Sequence, residues 1–166
     1  MKMFDKELIK RISERLKNDN QTIAVAESVT AGLLQAALAS ATDASSFFQG
    51  GITAYNIGQK CRHLVVEPVH AIECDCVSGK ISAEMSQHVC SLFASDYGIG
   101  ITGYAALVPE KNINDLFAYY AIAFKGSVIS TERISTDKDE GLPAQLFYAE
   151  QALRKLEEHL SEQKAN

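Results

Sequence analysis

Residues 22–34 read Thr-Ile-Ala-Val-Ala-Glu-Ser-Val-Thr-Ala-Gly-Leu-Leu, a short apolar run that breaks at Glu27-Ser28 and resumes with helical character. Ile23, Ala24, Val25 and Ala26 have the pattern of a strand covered on both faces. Such a strand belongs to a sheet with helices packed on either side, so this stretch sets the fold class. Ser28 and Thr30 are suited to cap a helix expected over residues 30–41, accepting from N–H groups that otherwise lack a partner. The same N–H groups, at the positive end of the helix dipole, suit an oxyanion or a phosphate.

Upstream, Leu8, Ile12 and Leu16 recur at spacing four among charged residues, which predicts an amphipathic helix ending near residues 18–20. Downstream, residues 42–46 read as a loop, and the glycine pair Gly50-Gly51 opens a strand expected over residues 50–55. A helix at 58–65 follows, and Pro68 is expected to end that segment and leave 67–78 irregular. Ile81, Met85, Val89 and Leu92 form the stripe of a half-buried helix, followed by a strand at 97–102. Residues 117–124 and 128–134 form two strands joined by Lys125-Gly126-Ser127, a connection short enough to require an antiparallel hairpin. Leu142, Leu146, Ala149, Leu153, Leu156 and Leu160 outline a long last helix. The expected fold is α/β, a three-layer α/β/α arrangement with a mixed, mainly parallel sheet, a C-terminal hairpin and a long final helix. One domain is expected over residues 1–166.

At 46% hydrophobic and 22% charged, the 166-residue chain has a globular composition. Its net charge of −5, with no cluster of Lys or Arg, argues against nucleic acid as a partner. No apolar stretch approaches the ~20 residues of a bilayer span, and Met-Lys-Met-Phe-Asp-Lys-Glu-Leu at the N-terminus reads as a helix start and not a signal peptide. A cytoplasmic protein without membrane contact is therefore expected. Cys61, Cys74, Cys76 and Cys90 then read as reduced thiols. Edge strands and the outer side of the last helix are the surfaces on which a homo-oligomer could form.

In open α/β sheets ligands collect beyond the carboxyl ends of strands. That rule selects Glu27-Ser28-Val29-Thr30, Tyr55-Asn56 with Lys60, and Thr102-Gly103. A serine is a weak nucleophile until a neighbouring base takes its proton, and a lysine kept neutral by burial can do so. Lys60 follows Ser28 by one helix and one strand, so neighbouring strands would bring the two together.

The motifs A-E-S-x-T-x-G at 26–32, G-G-I-T-A-Y-N at 50–56, Lys60, C-V-S at 76–78 and D-Y-G-I-G-I-T-G at 96–103 together resemble the CinA C-terminal domain family. The resemblance covers nearly the whole chain, in order. It implies an amidohydrolase of the nicotinamide mononucleotide (NMN) deamidase type, which yields nicotinate mononucleotide and ammonia. By that resemblance Ser28 is the nucleophile, Lys60 its base and Tyr55 lies beside them, while the N–H groups of Val29, Thr30 and Ala31 stabilise the oxyanion. Glu27, Asn56, Thr102, Gly103 and Lys138 complete the expected substrate-binding set. The partner is an NMN-like nucleotide, and neither a cofactor nor a metal is called for.

The chain also departs from the family pattern. Val29 and Ala31 replace the family's Cys and Gly, the loop Tyr104-Ala105-Ala106-Leu107-Val108-Pro109 lacks glycine, and Thr136-Asp137-Lys138-Asp139 stands where a G-D-R run is usual. These departures keep a second function class open, a catalytically silent homologue that binds a nucleotide or a protein. Cys74 and Cys76, near His70 and His63, have the residue types of a metal site, but C-x-C lacks the usual zinc-pair separation. Cys61 reads as a small hydrophobe on the inner face of its helix, and His88 as a boundary residue. Asp137, Asp139 and Glu140 are accounted for by the dipole of the last helix.

Overall fold

A computed structural model describes residues 3–163, so Met1, Lys2 and the last three residues of the expected domain lie outside it. The elements are α1 (Lys6–Asn18), β1 (Ile23–Glu27), α2 (Leu33–Ala39), β2 (Phe48–Thr53), α3 (Ile57–Leu64), α4 (Pro68–Glu73), α5 (Gly79–Phe93), β3 (Tyr97–Gly103), β4 (Leu116–Phe124), β5 (Ser127–Thr136) and α6 (Leu142–Glu162). The strands form one sheet in the order β2-β1-β3-β4-β5. β1 runs parallel to β2 and β3, whereas β3 with β4 and β4 with β5 are antiparallel. The α/β class and the hairpin are as expected. The sheet is not mainly parallel, because after β3 the chain turns back twice, through the loop 104–115 and the turn at 125–126, and antiparallel pairing needs no crossover helix.

Strand alternation decides which layer each side chain enters. Ile23, Val25, Tyr97, Ile99, Ile101, Tyr120 and Ile122 join one core with buried residues of α1, α2 and α6. Ala24 and Ala26 face the other way, into a second core with Leu64, Ala71, Ile81, Met85 and Val89. The second face is built of small residues, and α5 lies almost on the backbone of β3. A Cβ at Gly98 would sit 2.2 Å from the Ser86 carbonyl oxygen, and one at Gly100 2.3 Å from that of Ser82. Glycine is required at both positions by this close approach, not by backbone angle.

The first crossover, through α2, packs in one core, and the second, through α3, α4 and α5, packs in the other. The carboxyl end of β1 is therefore a topological switch point, where a crevice opens between β1 and β3.

Several local expectations are corrected. Residues 67–78 are not irregular. Pro68 is at the start of α4, where its missing N–H costs nothing, and the Glu67 carboxylate caps the helix by accepting from Val69 and His70. Leu92 is 52% exposed, because α5 turns Ser82, Ser86 and Cys90 inward beside Ile81, Met85 and Val89. Leu142 is likewise 45% exposed and Leu146 half-buried, while Ala144 and Tyr148 take the core face of α6. Glu140 does not sit in the first turn of α6; its carboxylate accepts from the Leu107 N–H, and no acidic residue occupies that turn. Lys125 and Gly126 both have positive φ, the geometry of a tight hairpin turn. Among the described residues, no helix is long and apolar enough to cross a membrane.

Candidate active site

The expected helix over 30–41 begins only at Leu33, and the reason is Glu27. The alternation of β1 points Glu27 to the α2 side, where it is fully buried. Its carboxylate accepts from the N–H groups of Gly32 (3.2 Å), Leu34 (3.0 Å) and Gln35 (2.8 Å) and from the Thr30 hydroxyl. Neither Ser28 nor Thr30 caps α2, correcting the expectation. A carboxylate arriving from the strand supplies four acceptor contacts, which a hydroxyl cannot match. The first N–H groups of α2 are thereby filled and cannot hold a substrate oxyanion.

Between Glu27 and α2 the chain makes a tight turn, closed by the Ala31 N–H donating to the Ser28 carbonyl at 3.0 Å. Ala31 is therefore no oxyanion donor either. It sits at φ +48°, a left-handed conformation that costs an L-alanine about 1–2 kcal/mol. Because Ala31 is exposed and makes no core contact, Ala31→Gly is expected to stabilise the protein by about 1 kcal/mol, read as a raised midpoint in urea unfolding. An unchanged or lowered midpoint contradicts strain at this position.

Ser28 follows the alternation to the opposite face and is 7% exposed. Its N–H donates to Ile101 on β3, and the Glu27 carbonyl accepts from Ala54 beyond β2, so both neighbouring strands hold the turn. Among the described residues, nothing accepts from the Val29 N–H. That N–H shares a trans peptide with the Ser28 carbonyl, which is turned in toward Ala31, so the N–H is directed outward.

The cleft at the switch point has a volume of about 590 Å³. It brings together Ser28, Val29, Tyr55, Asn56, Lys60, Thr102 and Gly103 of the expected set. Glu27, Thr30 and Ala31 are not in its wall. Lys138 is exposed on the segment after β5 and is also absent from it. Tyr55 is 68% exposed at the rim. The Asn56 side-chain oxygen is occupied as the cap of α3, accepting from Gln59 at 3.0 Å.

Lys60, in α3, is only 3% exposed. Its Nζ donates to the Thr102 hydroxyl at 3.0 Å, and that hydroxyl in turn donates to the Cys76 carbonyl at 2.8 Å. Thr102 has thus spent its proton on Cys76 and can only accept from the amine. No carboxylate among the described residues pairs with Lys60. Burial lowers its pKa, against smaller opposing effects of Cys76, Asp75 and Cys74. No hydrogen bond joins Ser28 Oγ to Lys60 Nζ among the described residues.

The opposite wall is the loop after β3. Tyr104 donates its hydroxyl to Asp75 at 2.9 Å, and Lys111 pairs with the same carboxylate at 2.9 Å. The Lys111 bond holds the Asp75 carboxyl below its usual range. The start of α6 closes the loop, with the Gly141 N–H donating to Ala105 and the Tyr148 hydroxyl to Tyr104. Gln145, which the motifs did not single out, also lines the cleft and donates to the Val29 carbonyl at 2.8 Å.

The rival constellations are placed elsewhere. His70 bonds Ser78 and His63 bonds Gln59, and no three metal-ligating side chains converge among the described residues. Cys61 is half-buried and not fully inside, while burial raises the Cys76 thiol pKa. His88 is half-buried and bonds the Glu84 carbonyl through Nδ1 at 2.9 Å.

The fold recurs in solved structures. A CinA superfamily protein of Klebsiella pneumoniae is 27% identical with a TM-score of 0.87, covering 95% of this chain and 98% of that one. One from Escherichia coli is 27% identical with a TM-score of 0.84, covering 91% and 87%. A competence-damage inducible protein of Streptococcus pneumoniae is 40% identical over 94 residues, 57% of this chain but only 22% of that relative's length. The family model of the CinA C-terminal domain matches residues 5–160. The chain belongs to the CinA C-terminal domain family.

Proposed function

We propose that the cleft hydrolyses a small carboxamide by a Ser28–Lys60 mechanism of the NMN deamidase type. The observation that carries this reading is Lys60, a lysine buried without a carboxylate partner in the wall of the cleft that holds Ser28. Lysines are rarely buried this way for stability, since desolvation penalises the charge. A lowered pKa is what a general base needs.

In this mechanism neutral Lys60 takes the Ser28 hydroxyl proton as Oγ attacks the amide carbon. The oxyanion of the tetrahedral intermediate accepts from the Val29 N–H. As the C–N bond breaks, protonated Lys60 gives its proton to the departing amine, and ammonia leaves an acyl ester on Ser28. Water, deprotonated by Lys60, then cleaves the ester and releases the acid. Thr102 accepts from Nζ without consuming its lone pair, and in this mechanism the amine closes on Ser28 as substrate binds.

Incubation with NMN is expected to release ammonia and nicotinate mononucleotide in equal amounts. A second reading, a nucleotide-binding protein without turnover, is supported by the bond of Lys60 to Thr102, with none between Lys60 and Ser28 among the described residues. It requires no ammonia but a raised melting temperature with NMN. Ammonia release eliminates this second reading, and neither effect eliminates both.

A further inference from the structure

We infer that Gln145 is a specificity residue that selects carboxamides over esters and acids, an inference that rests on the amidohydrolase reading above. Its side chain carries one acceptor and one donor group, and the structure commits the donor. Nε2 lies 2.8 Å from the Val29 carbonyl oxygen, which can only accept, so the side-chain amide has one permitted orientation. Oε1 therefore points away from Val29. It accepts no hydrogen bond from any described residue, and Gln145 is half-buried in the cleft wall one peptide away from Ser28.

Gln145 belongs to the first turn of α6, its own N–H donating to the Gly141 carbonyl at 3.1 Å, so the side chain projects from a rigid base. The result is a fixed acceptor in the wall of the cleft that holds the nucleophile, where other polar groups are already engaged. Thr102 and Lys60 serve each other, and the Asn56 oxygen caps α3.

A carboxamide held over Ser28 has two N–H groups, and one of them completes the Oε1 bond. Ammonia, once formed, still donates to it. An ester offers no proton there, and a product carboxylate meets the partial negative charge of an acceptor oxygen that has no proton to give it, which favours its departure. Discrimination by a buried or half-buried polar group left unpaired is stronger than discrimination by shape.

The test compares kcat/KM for NMN and for the methyl ester of nicotinate mononucleotide in three proteins. In Gln145→Met, of similar length but without polar atoms, the amide-over-ester ratio is expected to fall about tenfold. Gln145→Glu keeps an acceptor but loses the donor to Val29. There both rates are expected to fall together, with the ratio kept within about twofold. Equal loss on both substrates in Gln145→Met overturns the inference and leaves Gln145 a tie between α6 and the nucleophile turn. Hydrolysis of neither substrate by the unaltered protein overturns the amidohydrolase reading and this inference with it.

Discussion

Ser28→Ala and Lys60→Met are each expected to lower kcat/KM for NMN by about a thousandfold or more, and the double variant no further. The two side chains act on one proton, so removing either disables the same step, and their effects do not multiply. A double variant a further thousandfold slower would show that they act independently. The pH dependence carries a sign that can be checked. Only the neutral amine is a base, so kcat/KM should rise with pH along a limb placed below the ordinary lysine value of 10.5, because burial favours the uncharged form. A limb at or above that value contradicts the role. Stability follows from the same shift. Between the lowered pKa and 10.5 the unfolded chain binds more protons than the folded one, so stability rises with pH through that window. Lys60→Met should then be more stable than the parent at neutral pH, with the difference closing as pH approaches 10.5. A base whose removal stabilises the fold is a group retained for chemistry.

Glu27→Ala is expected to cost about 4 kcal/mol and to lower the melting temperature by roughly 10 °C. The carboxylate serves Thr30, Gly32, Leu34 and Gln35 at once, and the site is fully buried. Truncation leaves several donors without an acceptor at a place that water reaches poorly, each at about 1–3 kcal/mol before relaxation. Glu27→Gln keeps the shape but sets an NH2 group against N–H donors, so an intermediate loss is expected. Turnover should fall in both variants even under conditions where they remain folded, because the turn that carries Ser28 and the Val29 N–H hangs from this carboxylate. Urea unfolding gives the first quantity and ammonia release the second. A loss below about 1 kcal/mol for Glu27→Ala would mean that the turn is held by the strands alone.

Much of the fold could be read locally. Leu8, Ile12 and Leu16 gave α1, the unbroken Ile23 to Ala26 run gave a doubly covered strand, and Lys125-Gly126 gave the hairpin. The failures have separate causes. α4 is six residues long, too short to show a period, and its Pro68 reads equally as a stop or a first turn. Leu92 and Leu142 continue apolar stripes but fall past the edge of the core they would join. Lys138 was selected by its place in the chain, and nothing in that place required it to face the cleft.

At the site, the strand ends were legible because β1, β2 and β3 are marked by composition and ligands gather beyond such ends. The side-chain assignments were not. Glu27 looked like a cleft residue and is the cap of α2, since the two-residue alternation of a strand sends neighbours to opposite faces. Gln145 escaped notice because its partner, Val29, is 116 residues away and no local pattern encodes a hydrogen bond of that span.

Periodicity and turn chemistry, which act over a few residues, thus determined from the sequence alone the α/β class, the hairpin and the strand ends where chemistry could sit. Only the tertiary structure decided which side chains face the cleft: Ser28 and Lys60 toward it, Glu27 away, Lys138 outside, and Gln145 added from the far end of the chain. Those outcomes depend on strand register and on contacts between distant segments, which exist only once the layers have packed.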